Sequence, residues 1–240
     1  MTAKILDGKA LAQAMRAEVA QAVADFRDRW GRAPSLAVVR AGEDPASVSY
    51  ARAIARAFEQ AGMVFNPHVL PESASQEDMA DLVAQLSMDS EVHGIMIQEP
   101  LPEGVDSAAI VAALAPAKDV DGVHPQNAGL LLQGVGQYFV PATPAGGMEI
   151  LRRYEVALKG ARAVVVGRSN IVGKPMACLL LHQHATVTIC HSRTVDLGWV
   201  TRQADILVAA VGRPRLITGD MVKPGAVVID FGVNFVDGTM

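Results

Sequence analysis

Residues 163–175 form the stretch of the chain whose residue types most directly suggest chemistry. A run rich in β-branched residues ends at Gly167, and an apolar segment that begins at Met176 has the composition of a helix. A strand, a glycine turn and a helix N-terminus in this order can bind a dinucleotide pyrophosphate, because free backbone N–H groups face it. The glycine pattern is incomplete, since Ser169 stands at the second glycine position and Gly173 comes one place late. Alone, this pattern fits a nucleotide site and an ordinary tight turn equally well.

The end of the next predicted strand favours NADP over NAD. Residues 185–190 alternate as a strand does and lead into Ser192 and Arg193. An NAD site usually has an acidic residue at this distance from the glycine turn, where it accepts from the ribose 2′-hydroxyl. Hydroxyl and guanidinium groups suit a 2′-phosphate instead. Arg193 alone fits a solvated basic loop better, but with Gly167 at the right distance it predicts NADP.

Composition narrows the class of protein. The 240 residues suffice for one large or two small domains, half of them are apolar, and the net charge of −4 is mild. Lys and Arg form no long block and no apolar run could span a bilayer, so neither nucleic acid nor a membrane is expected as a partner. Cys178 and Cys190 have no CxxC spacing, and the histidines show no metal-ligand spacing. We therefore expect a cytoplasmic protein without a metal.

The elements that must position these residues alternate between strand and helix. Such alternation predicts an α/β fold with parallel sheet covered by helices on both faces. We place a domain boundary between residues 140 and 150, which gives domains of residues 1–145 and 146–240. Strands are predicted at residues 35–39, 63–70 and 92–97 and near Val164, Val187, Leu207 and Val228, and helices at residues 11–30, 47–60, 75–86, 107–114 and 145–154.

The end of the sequence is expected to be incomplete as a fold. Residues 226–230 are predicted to be a buried strand, and residues 235–238 a hairpin that enters an Asp-Gly turn. Only Thr239 and Met240 remain for the returning strand. We therefore expect the natural fold to continue beyond Met240.

Several ordered motifs at compatible spacing resemble those of a known family. They are Asp44-Pro45-Ala46-Ser47 with Tyr50, Gln98 with Pro100-Leu101-Pro102, Lys118-Asp119-Val120-Asp121-Gly122, Pro141-Ala142-Thr143-Pro144, residues 167–175, and His191-Ser192-Arg193-Thr194. Together they resemble the bifunctional methylenetetrahydrofolate dehydrogenase/methenyltetrahydrofolate cyclohydrolases over essentially the whole chain. The resemblance implies an N-terminal folate-binding catalytic domain, a C-terminal NADP-binding Rossmann domain, a tetrahydrofolate one-carbon derivative as substrate, and a homodimer.

The resemblance also implies roles for individual residues. Tyr50 is expected to stack on the aminobenzoate ring of the substrate, while Gln98 and Asp121 orient the folate. The residues expected to bind NADP are Gly167, Arg168, Ser169, Ile171, Val172, Gly173, Ser192 and Arg193.

One departure from the family pattern bears on chemistry. Members keep a Tyr-x-x-x-Lys on the helix after the first strand, and this spacing puts both side chains on one helix face. Here Tyr50 is followed by Ile54 at the lysine position. Isoleucine can neither exchange a proton nor hold a positive charge near an attacking water, so we expect the cyclohydrolase step to suffer. Arg52 and Arg56 point away from this face and remain protonated, so they are poor substitutes.

Hydride transfer is less exposed to this loss, because it depends mainly on holding cofactor and substrate together. The expected function is therefore NADP-dependent interconversion of 5,10-methylene- and 5,10-methenyltetrahydrofolate in one-carbon metabolism. Two alternatives stay open: a non-catalytic paralogue that binds folate or nucleotide, and an enzyme with a shifted pterin substrate. A second departure, Glu99 at a usually apolar position, would either repel a polyglutamate tail or point into solvent.

Overall fold

A computed structural model describes residues 3–233 of the chain. They belong to two compact units, residues 1–120 and residues 121–240. Each unit carries its own parallel sheet, which confirms the α/β class and the parallel sheets predicted from the alternation of elements. Within residues 3–233, no helix combines the length and the apolar character that crossing a membrane requires.

The first unit alternates helices and strands. Its strands are β1 (Ser35–Ala41), β2 (Val64–Leu70) and β3 (Gly94–Ile97), and its helices are α1 (Gly8–Trp30), α2 (Pro45–Ala61), α3 (Gln76–Met88) and α4 (Ser107–Ala112), followed by a 3-10 turn, Pro116–Lys118. The sheet order is β2-β1-β3, and a single parallel bridge joins Ile95 of β3 to Asp119.

Helix boundaries in this unit follow local chemistry. The side chain of Asp7 accepts from two N–H groups at the start of α1, as an N-cap should. Gly62 ends α2 in the left-handed conformation that glycine adopts without strain. Ser75 and Asp78 form a reciprocal capping box on α3.

The order of strands fixes where a ligand can enter this sheet. From β1 the chain runs to β2 on one side, whereas β3 and Asp119 follow on the other side. In open α/β sheets such a reversal opens a crevice at the carboxyl ends of the two strands beside it. Here those strands are β1 and β3, and Gln98 directly follows β3.

The second unit also alternates helices and strands, and its parallel sheet has one more strand. Its helices are α5 (Pro125–Gln133), α6 (Ala142–Arg153), α7 (Gly173–His182) and α8 (Leu197–Thr201), and its strands are β4 (Arg162–Val166), β5 (Thr186–Cys190), β6 (Ile206–Ala209) and β7 (Val227–Asp230). The sheet order is β5-β4-β6-β7. The reversal therefore falls between β4 and β6, at the turn that Gly167 begins.

Some details differ from the sequence-based expectation. No element was predicted over residues 125–133, where α5 begins at Pro125 and ends before Gly134. Helix α6 starts at Ala142 rather than residue 145, because Pro144 lies in the first turn, where a missing N–H costs no hydrogen bond. The hairpin at residues 235–238 lies outside the described residues, and the domain boundary near residue 145 stays a prediction.

Candidate active site

Gln98 is held at the crevice of the first sheet by both its backbone and its side chain. Its N–H donates to the carbonyl of Val39 in β1, at 2.8 Å, and its side chain is almost fully buried, at 5% exposure. The amide Nε2 donates to the backbone carbonyl of Ser47, at 2.6 Å. Ser47 in turn donates its hydroxyl to the carbonyl of Glu99, at 2.8 Å. These bonds tie the end of β3 to the first turn of α2.

The start of α2 is itself fixed by Asp44. Its carboxylate accepts from the Ser47 N–H at 2.8 Å, and hydrogen bonds from Ser47 lower the pKa of Asp44 below its usual range. Pro45 occupies the first turn, where its fixed φ favours the helix. The Gln98 side chain is therefore bound to the first turn of α2, and the neighbouring residues Asp44 and Pro45 fix where that turn begins.

The other amide atom of Gln98 has no partner. Among the residues that the structure describes, Oε1 is buried and accepts no hydrogen bond. Flipping the amide would bring Oε1 against the carbonyl oxygen of Ser47, so the bond to Ser47 fixes which end is unpaired. An unpaired buried acceptor costs about 1–3 kcal/mol. Such a cost usually persists at functional positions.

Ile54 is spaced to lie on the same face of α2 as Ser47, whose backbone carbonyl accepts from Gln98. Ser47, Ala51 and Ile54 are spaced i, i+4 and i+7, a spacing that aligns side chains along one face, and Ser47 and Ala51 are buried. Ile54 is half-buried. Tyr50, also predicted as a site residue, begins the next turn and exposes 54% of its surface, which leaves its ring accessible to a ligand.

Asp121 follows a firmly held segment of the first unit. Asp119 is fully buried and bridges to β3, and Val120 packs so closely on β3 that a Cβ at Gly94 would lie 2.5 Å from its side chain. Gly122, on the other side of Asp121, has φ of 61°, a value that favours glycine. Asp121 itself is half-buried.

Glu99 is exposed and turns back on its own loop. Its carboxylate accepts from the N–H of Leu101 at 3.2 Å. Its effect on a polyglutamate tail stays a prediction.

The turn after β4 depends on two glycines that lie unusually close to neighbouring backbone. Gly167 has φ of 134°, and a Cβ there would overlap the carbonyl of Ala210 at the end of β6. A Cβ on Gly173 would overlap the carbonyl of Gly167. Only glycine therefore lets the backbone come so close to itself at both positions. This turn lies at the N-terminus of α7, where the helix dipole favours an anion.

The remaining predicted residues of this turn surround that helix end. The Oγ of Ser169 accepts from the N–H groups of Val172 and Gly173, at 3.1 and 3.3 Å. Arg168 and Ile171 are exposed, Ile171 at 51%. These contacts order the loop before any ligand is bound, and they leave a cation and an apolar side chain at its surface.

Ser192 and Arg193 stand on a tight turn beside the glycine turn. The N–H of His191 donates to Oγ1 of Thr194 at 2.8 Å, and the N–H of Arg193 donates to Nδ1 of His191 at 3.1 Å. The two turns are neighbours because Gly167 donates its N–H to the carbonyl of Cys190 at the end of β5, at 2.8 Å. The structure thus brings the predicted cofactor residues to one edge of one sheet.

Among residues 3–233, no group of three or more His, Cys, Asp or Glu side chains is arranged to hold a metal ion. Burial raises the pKa of the Cys178 thiol. It also raises that of Cys190, against a smaller opposing hydrogen bond from Thr194. Both cysteines are free, and a raised thiol pKa is typical of packing residues rather than nucleophiles.

Comparison with known proteins decides the family. The catalytic-domain model of tetrahydrofolate dehydrogenase/cyclohydrolase matches residues 6–121, and the NAD(P)-binding-domain model of the same family matches residues 141–240. The bifunctional protein FolD of Chloroflexus aggregans is 54% identical over 241 aligned positions, which cover 100% of this chain and 84% of that protein. The chain belongs to the tetrahydrofolate dehydrogenase/cyclohydrolase family.

Solved structures of family members agree with this assignment. The bifunctional enzyme FolD of Campylobacter jejuni superposes with a TM-score of 0.96 at 40% identity, covering 99% of this chain and 84% of that one. The Trypanosoma brucei enzyme, solved with NADP and an inhibitor, gives 0.93 at 36% identity, covering 98% and 81%.

Two positions of the site were not found from the sequence. Ser47 anchors the Gln98 amide through its backbone carbonyl, and Lys118 ties the segment before Asp121 to α3. The partners of both bonds are far apart along the chain, so no local pattern reveals them. The only available signal was that each residue falls inside a family motif.

Proposed function

We propose that this chain is an NADP-dependent methylenetetrahydrofolate dehydrogenase whose cyclohydrolase activity is lost or strongly reduced. The observation that carries the first part is the close backbone packing at the N-terminus of α7, where a Cβ on Gly167 or Gly173 would overlap backbone atoms. The observation that carries the second part is the unpaired Oε1 of Gln98, whose amide is bound to α2 at Ser47, together with Ile54 at the lysine position of the same helix.

The residues of the second unit fit NADP. We assign the pyrophosphate to the glycine turn at the start of α7, with Ser169 and Arg168 beside it. We assign the 2′-phosphate to Ser192 and Arg193, because a guanidinium makes charge-assisted bonds to phosphate and the turn that carries it is already formed. When bound, the nicotinamide supplies the hydride-acceptor chemistry.

Tyr50 and Asp121 would bind and orient the folate. We propose that Tyr50 stacks on an aromatic ring of the substrate and that the carboxylate of Asp121 accepts from pterin N–H groups. Oxidation of methylenetetrahydrofolate moves a hydride from the one-carbon centre to NADP and leaves the methenyl cation, so it needs no proton transfer by the protein. Positioning is therefore the main contribution of these residues.

Hydrolysis of the methenyl cation makes a different demand. Water must add to the one-carbon centre and lose a proton, and general acid–base help of this kind contributes about 10²–10⁴-fold. Ile54 offers neither a proton nor a charge. Gln98 offers only an uncharged acceptor there, so the two activities should separate in this protein.

The deciding experiment is to incubate purified protein with methylenetetrahydrofolate and NADP and to follow methenyltetrahydrofolate by absorbance. We expect the methenyl product to form and to accumulate, with hydrolysis no faster than in buffer. Absence of the methenyl product at any NADP concentration would refute the dehydrogenase. A non-catalytic paralogue would bind the ligands in calorimetry without turnover.

We also propose a homodimer in the cytoplasm. The edge strand β5 leaves Ile189 at 42% exposure, and Trp199 and Val195 nearby in sequence are 60% and 88% exposed. A sheet edge with apolar side chains is suited to pair with a second copy through a two-fold axis. Sedimentation should give twice the chain mass, and Ile189→Asp should shift it toward the monomer; a monomeric wild type would contradict this assignment.

A further inference from the structure

Lys118 joins the end of one helix to the segment that leads to Asp121. Its ammonium donates to the backbone carbonyls of Leu86 and Asp89, at 3.0 and 2.5 Å. Helix α3 ends at Met88 and has no basic residue in its own last turn. The last carbonyls of a helix lack intrahelical partners and carry partial negative charge, so a cation there is stabilising. Lys118 supplies that cation from a distant part of the chain.

The residues on either side of Lys118 are also bonded to α3 and β3. The N–H of Ala115 donates to Oγ of Ser87 in α3, at 2.9 Å. Asp119 then bridges to Ile95 of β3. Lys118 is thus one of several successive ties to α3 and β3, and only two residues separate it from Asp121.

We propose that Lys118 is a positioning residue for folate binding, which acts through Asp121. This inference rests on the proposed function, in which the Asp121 carboxylate binds the pterin. An apolar substitute cannot donate to the carbonyls of Leu86 and Asp89, which would then turn to solvent for their hydrogen bonds. The 3-10 turn Pro116–Lys118 would lose its charged tie to the helix, and the segment that places the Asp121 carboxylate would shift.

The first test compares Lys118→Met with Lys118→Arg. A displacement of about 1 Å in a positioning group can cost up to about 100-fold, so we expect Lys118→Met to raise the KM for methylenetetrahydrofolate about tenfold or more. The KM for NADP should not change, and arginine should restore most of the folate affinity because it also donates to carbonyls. Lys9→Met, at an exposed position of α1, is the matched control and should leave both constants unchanged.

The second test is a double-variant cycle with Asp121→Asn, read as the dissociation constant for tetrahydrofolate in calorimetry. If Lys118 acts through Asp121, Lys118→Met should weaken binding no further in the Asp121→Asn background. Additive losses, or equal changes in both Michaelis constants, would overturn the inference and leave Lys118 a residue of general stability.

The two proposals fail in different ways. A wild-type chain that binds tetrahydrofolate but forms no methenyl product would refute the dehydrogenase, while the calorimetric cycle still decides the role of Lys118. A wild type that binds no tetrahydrofolate would overturn both. If Lys118→Met does not fold, as judged by its NADP binding, Ser87→Ala is the second variant. It removes the hydrogen bond from Ala115 to Ser87 and should raise the KM for methylenetetrahydrofolate while the KM for NADP stays unchanged. An unchanged folate constant in that variant would also overturn the inference.

Discussion

Ile54→Lys is the substitution that tests the assignment of the first unit most directly. Helical side chains tilt toward the N-terminal end of their helix, and residue 54 lies about 10 Å of axial rise beyond Ser47. The Gln98 amide bonds to the Ser47 carbonyl, which points from residue 47 toward residue 54. A lysine at position 54 is therefore expected to lean back toward the turn of α2 where the Gln98 amide is bound.

The energetics favour a tolerated substitution. A hydrogen bond from a charged donor contributes about 1.5–3 kcal/mol, and it would satisfy an oxygen that is now buried without a partner. The substitution also removes the apolar contacts of isoleucine. Full burial of an isoleucine side chain contributes about 1.5–3 kcal/mol, and Ile54, which is half-buried, contributes part of that. The two effects are of similar size, so the free energy of unfolding should change little. Partial desolvation should lower the pKa of the new lysine.

The assay is hydrolysis of methenyltetrahydrofolate, followed as loss of its absorbance. We expect Ile54→Lys to raise the rate above buffer by part of the 10²–10⁴-fold that acid–base catalysis supplies. Ala53→Lys is the matched control, because position 53 is exposed and its side chain points about 100° away around the helix. Adding Gln98→Met to Ile54→Lys should remove most of the gain if the ammonium acts together with Oε1.

One result would refute this reasoning. A folded Ile54→Lys protein that binds NADP and oxidises methylenetetrahydrofolate, yet hydrolyses no methenyl product, would mean that the pocket differs at more than one residue. An enzyme with a shifted pterin substrate would then be the better explanation. Equal gains in Ile54→Lys and Ala53→Lys would indicate a general effect of charge.

Three further predictions concern the second unit. Arg193→Ala should raise the KM for NADP by one to two decades, the value of a charge-assisted contact of about 1.5–3 kcal/mol, and barely change that for NAD; equal loss for both cofactors would make Arg193 a fold residue. Gly167→Ala should abolish NADP binding and lower the free energy of unfolding by about 2–5 kcal/mol from strain and overlap, whereas Gly146→Ala, where a Cβ meets nothing within 4 Å, should do neither in thermal melts with NADP. Hydrogen bonds from Arg152 and Arg153 lower the pKa of Glu149 to about 2, so the ionised carboxylate stabilises the fold above its ordinary pKa and loses that effect as pH falls toward 2. Glu149→Gln should therefore lower the free energy of unfolding by about 0.5–1 kcal/mol at neutral pH and leave it unchanged near pH 2. A loss of stability that persists in thermal melts in acid would contradict the ion pair.

The sequence predicted the strands and most helices because their signals are local. Asp7, Gly62 and Ser75 each cap a helix end, and each is of a residue type that favours that position. Helix α5 was missed although Pro125 stands at its start and Gly134 ends it in the left-handed conformation. The apolar run of this helix is short and lies between the Val-Asp-Gly motif and glycine-rich loops. The proline and the glycine at its ends were therefore interpreted as parts of loops rather than as the start and end of a helix.

The site divides in the same way between local and long-range causes. The glycine turn was recognisable because its residues are consecutive and their backbone conformations are set by glycine. The approach of Gly167 to Ala210 depends instead on β4 and β6 being neighbours, which the order of elements does not reveal. Likewise, the sequence showed that Ile54 lacks a function of lysine, whereas the structure adds that Ser47 holds one end of the Gln98 amide and leaves Oε1 without a partner among the described residues.

The state of the Gln98 amide changes how Ile54 should be interpreted. If the pocket had been reshaped as an apolar core, the buried amide of Gln98 would be a cost without a benefit, and a methionine or leucine would remove it. The amide nevertheless remains, tied at one end to Ser47 and unpaired at the other. An oxygen fixed in this way can still accept from an N–H or O–H group of a ligand, and it then recovers the cost on binding. The loss of lysine and the retention of Gln98 are therefore consistent with a site that still binds its substrate and no longer needs a proton there.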